Sequence, residues 1–199
     1  MHHIYHTEGL ILGSHNFREA EKVFYIFTKD LGMISASAQG IRKISSKLRF
    51  VLQDFAYVKI DLVHGKEFWK ITSALKTNKL ENISKHSESF EIFTNIARLL
   101  KRLLAGEDAN EVLFTDLIVG LSMLDKIDFA RGVLAKIELQ NIEVIIVLRM
   151  LHNLGYIGGD KIFENLIKSP FEEDLLFKVS KSRAKILSEI NKALRETHL

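Results

Sequence analysis

The chain has 199 residues, of which 47% are hydrophobic and 27% charged, with no cysteine and a net charge of +3 at pH 7. This is the composition of a folded chain with room for one large or two small domains, and it excludes disulfides and thiolate metal sites. The longest aliphatic run in the C-terminal half, Val144–Leu148, is too short to span a bilayer, and MHHIYHTEGLILG shows no basic segment leading into an apolar one, so a cytoplasmic protein is expected.

The first third alternates with a period of two. Val23, Tyr25 and Phe27 alternate with Phe24, Ile26 and Thr28, and Ala56, Val58, Ile60 and Leu62 alternate with Tyr57, Lys59 and Asp61. Turn signals fall at Lys29-Asp30-Leu31-Gly32 and His64-Gly65-Lys66. Five strands are predicted, near residues 4–15, 20–29, 32–39, 50–63 and 66–75. Five strands in a short domain point to a small closed barrel of OB type, because closure removes exposed edges.

From about Leu80 the apolar period becomes 3.6. Ile92, Phe93, Ile96, Leu99, Leu100, Leu103 and Leu104 predict one helix, which ends at Ala105-Gly106-Glu107-Asp108. Val112 to Leu124 predicts a second, and Asp128 to Asn153 a third with a break near Gln140-Asn141. Gly155, Gly158 and Gly159 interrupt the pattern, Ser169-Pro170 caps a short helix, and Ser182 to Thr197 is expected to finish the chain helically. The expected architecture is an α+β two-part chain. Residues 1–79 form an OB-type barrel, and residues 80–199 an all-α helical domain.

The charge divides with the parts. Residues 1–79 carry 12 Lys and Arg against 7 Asp and Glu, whereas residues 80–199 carry 16 against 18. Between Leu31 and Gln53 stand Arg42, Lys43, Lys47 and Arg49 without one acid. Gly40 permits a sharp exit from the preceding strand, and cations at this density neutralise phosphates without choosing a sequence. Lys29 and Lys59 would extend the track. Tyr57, on the face of its strand that carries Lys59, is the first candidate for stacking on a base, with Tyr25, Phe50, Phe55 and Trp69 behind it; Trp69 is better placed as core. Arg98, Lys101 and Arg102 rim a helical face that could receive an acidic peptide tail.

The remaining motifs carry little. His2, His3 and His6 lack further ligands at regular spacing, and His15, His64, His86, His152 and His198 are scattered, so no metal is expected. Glu19 and Glu21, flanked by Arg18 and Lys22, suggest a salt-bridged turn. No nucleophile, base or phosphate loop stands out, so no catalytic residue and no cofactor is expected.

Glu8-Gly9-Leu10-Ile11-Leu12, Phe17-Arg18-Glu19-Ala20-Glu21-Lys22-Val23 and Ile26-Phe27-Thr28-Lys29-Asp30-Leu31-Gly32 resemble the opening of the bacterial RecO family of recombination mediators. The likeness continues through Gln39-Gly40-Ile41-Arg42-Lys43, Leu52-Gln53-Asp54-Phe55 and Trp69-Lys70-Ile71 to Leu148-Arg149-Met150-Leu151-His152-Asn153-Leu154-Gly155-Tyr156. The resemblance implies an N-terminal OB fold with a helical domain, binding of single- and double-stranded DNA, strand annealing, and help in loading RecA. It further implies RecR and the acidic C-terminal tail of the single-strand-binding protein as partners, and association with the nucleoid. Many members hold zinc on four cysteines, which this chain lacks, and it is shorter than the usual member, with little chain after Gly155. The rival expectation is a protein-interaction scaffold whose helical domain binds an acidic peptide tail.

Overall fold

The structure is a computed structural model that describes residues 3–104, 106–158 and 161–197; His2, Ala105, Gly159 and His198, named above, lie outside them. Five strands, β1 (Ile4–Asn16), β2 (Lys22–Thr28), β3 (Gly32–Ala38), β4 (Tyr57–Val63) and β5 (Trp69–Lys76), close into a barrel in the order β1-β2-β3-β5-β4. Strand β1 makes closure possible. Its first half pairs antiparallel with β4 and its second half with β2; Gly9 and Leu10 pair with both, and a bulge follows between Ile11 and Gly13. β3 and β5 run parallel, with Ala36 opposite Trp69, and β4 pairs antiparallel with β5. This is the OB arrangement.

Alternate residues fill the interior. Ile11, Phe24, Ile26, Ile34, Val58, Ile60, Leu62 and Trp69 form one buried cluster, which confirms Trp69 as core. Strand β4 starts at Tyr57, not near residue 50. Leu48–Val51 is instead a single helical turn, α1, because Leu52 is buried in the barrel core and Leu48 packs against it one turn earlier, while Phe50 points outward.

Five further helices are described: α2 (Ser87–Leu103), α3 (Glu111–Leu124), α4 (Val133–Asn153), α5 (Lys161–Lys168) and α6 (Glu173–Glu196). α4 runs unbroken through Gln140-Asn141. Gln140 accepts a hydrogen bond from Arg183 Nη1 at 2.8 Å, and the buried Asn141 amide nitrogen lies 3.5 Å from the Leu176 carbonyl. The last helix begins at Glu173 rather than Ser182, and Ser169 closes α5 by bonding back to Asn165.

The chain forms two compact units, residues 1–81 with 97–114, and residues 82–96 with 115–199. The barrel unit thus holds the end of α2 and the start of α3. Phe114 lies 5.5 Å from the Phe27 ring and 6.2 Å from Tyr57, Glu107 accepts from Trp69 Nε1 at 2.9 Å, and the Gly106 carbonyl accepts from the Met33 amide at 3.1 Å. Gly32 is required at that crossing, since at φ +69° a Cβ there would stand 2.4 Å from the Asp108 carbonyl oxygen. In the helical unit, the signature residue Arg149 is buried on α4. It donates to Asp116 Oδ1 at 3.2 Å and to the carbonyls of Leu166 and Ser169, and lies 4.2 Å from the Phe171 ring centre. Burial pulls its pKa below the ordinary guanidinium value, and Asp116 opposes that shift.

Candidate nucleic-acid interface

The segment between β3 and β4 is a pinned platform. Gly40, at φ +69°, turns the chain out of β3, and successive turns follow, with Lys43 N donating to Gly40 O and Ser46 N to Lys43 O at 3.0 Å each. Ile41 and Leu52 sink into the barrel core and anchor both ends. Lys43, Lys47 and Arg49 stand exposed between these anchors. Among the described residues, none of the four loop cations forms an ion pair within 4.0 Å of a carboxylate. Their charge is therefore offered to solvent. Arg49 also lies 4.5 Å from the ring centre of Phe50, which is 62% exposed.

Arg42 has a second task. Its Nη1 donates to the carbonyls of Arg18 at 3.2 Å and Glu19 at 2.8 Å, and its backbone amide donates to Ala20 O at 3.3 Å. It ties the cationic segment to the β1–β2 turn. That turn is the salt-bridged one expected, with Glu21 N donating to Arg18 O and the Arg18 guanidinium 3.9 Å from the Glu21 carboxylate.

Lys29, Tyr57 and Lys59 converge elsewhere, around Glu8. The β1–β4 register sets Glu8 opposite Lys59, with 3.7 Å between the charged groups. The Tyr57 hydroxyl donates to Glu8 Oε2 at 2.5 Å, and the Lys29 backbone amide donates to the Glu8 carbonyl. The Lys29 ammonium pairs with Glu111 at 2.9 Å, and that hydrogen bond, followed by Coulomb attraction, raises its pKa. Each lysine thus already faces a carboxylate. Tyr57 is only 3% exposed and offers no open face to a base, which corrects the expectation that it is a stacking platform. Burial, then the bond to Glu8, pushes its phenol above the ordinary tyrosine value.

Arg98, Lys101 and Arg102 are exposed on the second half of α2, inside the barrel unit, and Lys101 Nζ sits 4.2 Å from the Tyr25 ring centre on β2. The rim is as exposed as the sequence suggests, but it belongs to the compact unit of the barrel.

A cleft of about 500 Å³ lies between the β1–β2 and β4–β5 turns, and sequence reasoning did not find it. Phe17 of one turn meets Phe68 of the other edge-to-face at 5.2 Å, and the Arg18 guanidinium lies 5.0 Å from the Phe17 ring centre. Gln39, Lys66 and Lys70 line the same cleft, with Glu21 and Glu67 as its acids. The available signal was an aromatic within two residues of a cation in both turns, Phe17-Arg18 and Lys66-Glu67-Phe68, once strand order brings those turns together. No group of three or more His, Cys, Asp or Glu that could hold a metal ion occurs among the described residues. Nor is any described helix long and apolar enough to cross a membrane.

These elements define an OB-type barrel with an unneutralised cationic platform, followed by helices. Residues 1–78 match the protein family described as "Recombination protein O N terminal". The chain is 27% identical over 153 residues to the DNA repair protein RecO of Heliobacterium modesticaldum, covering 77% of this chain and 52% of that protein. It is 24% identical over 155 residues to the RecO protein of Caldanaerobacter subterraneus, covering 75% of this chain and 58% of the relative. Against that of Dehalococcoides mccartyi it is 28% identical over 123 residues, 62% of this chain and 49% of the other. The matches span about half the length of these relatives. Both comparisons support the resemblance to the RecO family that the sequence motifs carry.

Proposed function

We propose that the chain acts, without covalent chemistry, as a DNA-binding mediator of recombinational repair. It binds single- and double-stranded DNA through the phosphate backbone, anneals complementary strands, and assists RecA loading together with RecR and the tail of the single-strand-binding protein, in the cytoplasm at the nucleoid. The observation that carries this reading is the platform between β3 and β4, whose cations have no carboxylate partner among the described residues and whose ends are anchored in the barrel core. The DNA-repair names of the relatives and the family match support the same direction. Annealing follows from the platform, because cations that neutralise phosphates lower the repulsion between two strands.

The test is a salt titration of a labelled single-stranded oligonucleotide. If three or four phosphates are engaged, the log–log slope is about −2 to −3. Changing Lys43, Lys47 and Arg49 together to Ala, with Arg42 left to brace the turn, should flatten the slope by about 2 and weaken every sequence alike. A slope near zero in the native chain would sink the proposal.

The scaffold reading has its own supporting observation. A groove of about 230 Å³ in the helical unit is lined by Leu134, Ile137, Asn141, Leu176 and Phe177. Phe177 is 57% exposed with Lys181 Nζ 4.2 Å from its ring centre, and the Asn141 Oδ1 is buried without a partner. An acidic amphipathic peptide fits an apolar floor, a cation and an unused acceptor. Negligible DNA affinity in the titration, with tight binding of such a peptide, would favour it.

A further inference from the structure

We infer that Ile44, at the apex of the cationic platform, is a wedge that enters a base step of duplex DNA and unstacks it, so that the chain bends and locally opens the duplex it binds. The inference rests on the DNA-binding reading and goes beyond it, because neutralising phosphates leaves a duplex stacked.

The starting observation is a side chain out of place. Ile44 is 87% exposed, more than any other large apolar side chain among the described residues. Ile41 and Leu52, by contrast, are buried in the barrel core. The backbone holds Ile44 away from them. Ser46 N donates to Lys43 O at 3.0 Å, which closes a turn with Ile44 and Ser45 as its central residues. Such positions favour Pro, Gly, Asn, Asp or Ser for conformational reasons, and a β-branched apolar residue brings none of them. Neither the turn nor the core accounts for this Ile, and a local rule broken without a folding gain marks a contact made with something else.

Charge decides what that partner is. Arg42 and Lys43 precede the apex, Lys47 and Arg49 follow it, and none of the four has a carboxylate within 4.0 Å among the described residues. An apolar tip between two pairs of cations fits a surface with phosphates on both sides of an apolar slot, which a base step met from the minor groove supplies. Ile is among the side chains able to separate such a step, and the kink that results brings more phosphate to the flanking cations and offsets the unstacking. An anionic lipid surface also sets phosphates over apolar matter. There apolar area decides: a single acyl chain anchors a protein only marginally, and Ile44, even joined by the exposed Phe50, offers less apolar surface than that.

A wedge must be backed by something stiff. The Arg42 guanidinium donates to the carbonyls of Arg18 and Glu19 at 3.2 and 2.8 Å, and Lys43 N donates to Gly40 O at 3.0 Å. The apex thus stands on two successive turns braced against the β1–β2 turn, with both ends of the segment sunk in the core.

The test uses the full chain and a duplex carrying a fluorescent adenine analogue at a central TA step and an energy-transfer pair at its ends. At saturation the native chain should raise the analogue's emission about threefold and bring the ends closer. It should bind a duplex with a central mismatch about tenfold tighter than the matched one, because a mismatched step opens more readily. Ile44→Ser, which changes a solvent-exposed side chain and so keeps the melting temperature, should bind the matched duplex within about threefold of the native chain, with neither signal nor mismatch preference. Ile44→Leu should restore both. Salt-steep duplex binding without a signal, or the same signal from Ile44→Ser, would overturn the wedge and leave phosphate binding intact. So would binding of the single strand alone, or of phosphatidylserine vesicles through Ile44 with the duplex undistorted. No binding of either DNA form would overturn both readings.

Discussion

Tyr57 shows how one residue can carry the right period and the wrong role. Alternation along its strand put it beside Lys59 on a polar face, and Lys59 is indeed exposed. The partner that covers Tyr57, Phe114, stands far along the chain, and the acceptor of its hydroxyl, Glu8, becomes visible only with the β1–β4 register. The buried phenol keeps its proton to higher pH in the folded chain than in the unfolded one, so the stability it contributes is full below about pH 10 and is lost as pH rises beyond that. Tyr57→Phe is expected to cost about 1 kcal/mol at pH 7 through the lost bond to Glu8. The gap to the native chain should narrow at pH 11, because Phe cannot ionise; urea melts at both pH values test this, and a gap that widens would contradict the assignment. Lys29 and Lys59 teach the same lesson. Each was visible as a cation, but the carboxylates that face them, Glu111 and Glu8, are brought there by strand pairing and by the return of the chain. The four loop cations were legible because what marks them is the absence of acids nearby in sequence, which needs no fold to be seen.

At the scale of elements the strands were more legible than the connections. All five appear in order, and closure follows from their number, since a short sheet with two free edges is a liability. The residues ahead of β4 were misassigned because Phe50-Val51-Leu52 has the apolar density of a strand, while Leu48 and Leu52 share one side of a helical turn. The polar pair Gln140-Asn141 looked like a break in α4, although inter-helix hydrogen bonds satisfy polar groups inside a continuous helix. Glu143, one turn beyond Leu139 on the same helix, is held above the ordinary carboxylate pKa, mainly by burial and further by Glu91, with Arg183 opposing. A raised folded pKa favours the protonated form, so stability is greatest below the unfolded value and declines as pH climbs through the folded one. Glu143→Gln, which stays neutral, should therefore raise the melting temperature at pH 7 and leave it unchanged at pH 4. A drop at pH 7 would show that the pairing with Arg183 outweighs burial. The aromatic cleft escaped notice because it belongs to no element, only to two turns joined by the strand order.

For the whole molecule, the change of period near residue 80 marks where strands give way to helices, whereas compactness follows a different line. Residues 97–114 belong with the barrel, and they carry Phe114 to Phe27 and Tyr57, Glu107 to Trp69 and Glu111 to Lys29. A chain ending at residue 79 would leave the outer faces of Phe27 and Tyr57 bare. It is expected to bind a hydrophobic dye and melt without a cooperative transition, while a chain ending at residue 114 melts cooperatively. Equal, cooperative melting of both pieces would mean that the barrel needs no helical cover.

That interleaving also sets an order of events at the ribosome. The peptide passes from the first unit to the second after residue 81, returns at 97 and leaves again after 114. The first half of β1 waits for β4 before its ladder can form, and the finished barrel then waits for Phe114 to emerge before Phe27 and Tyr57 are sealed. By then the whole cationic platform and both aromatic turns are already outside the exit tunnel. A nascent barrel would thus present its cations and rings while one flank is still open, and that interval of synthesis is where chaperone capture or self-association would act on this chain.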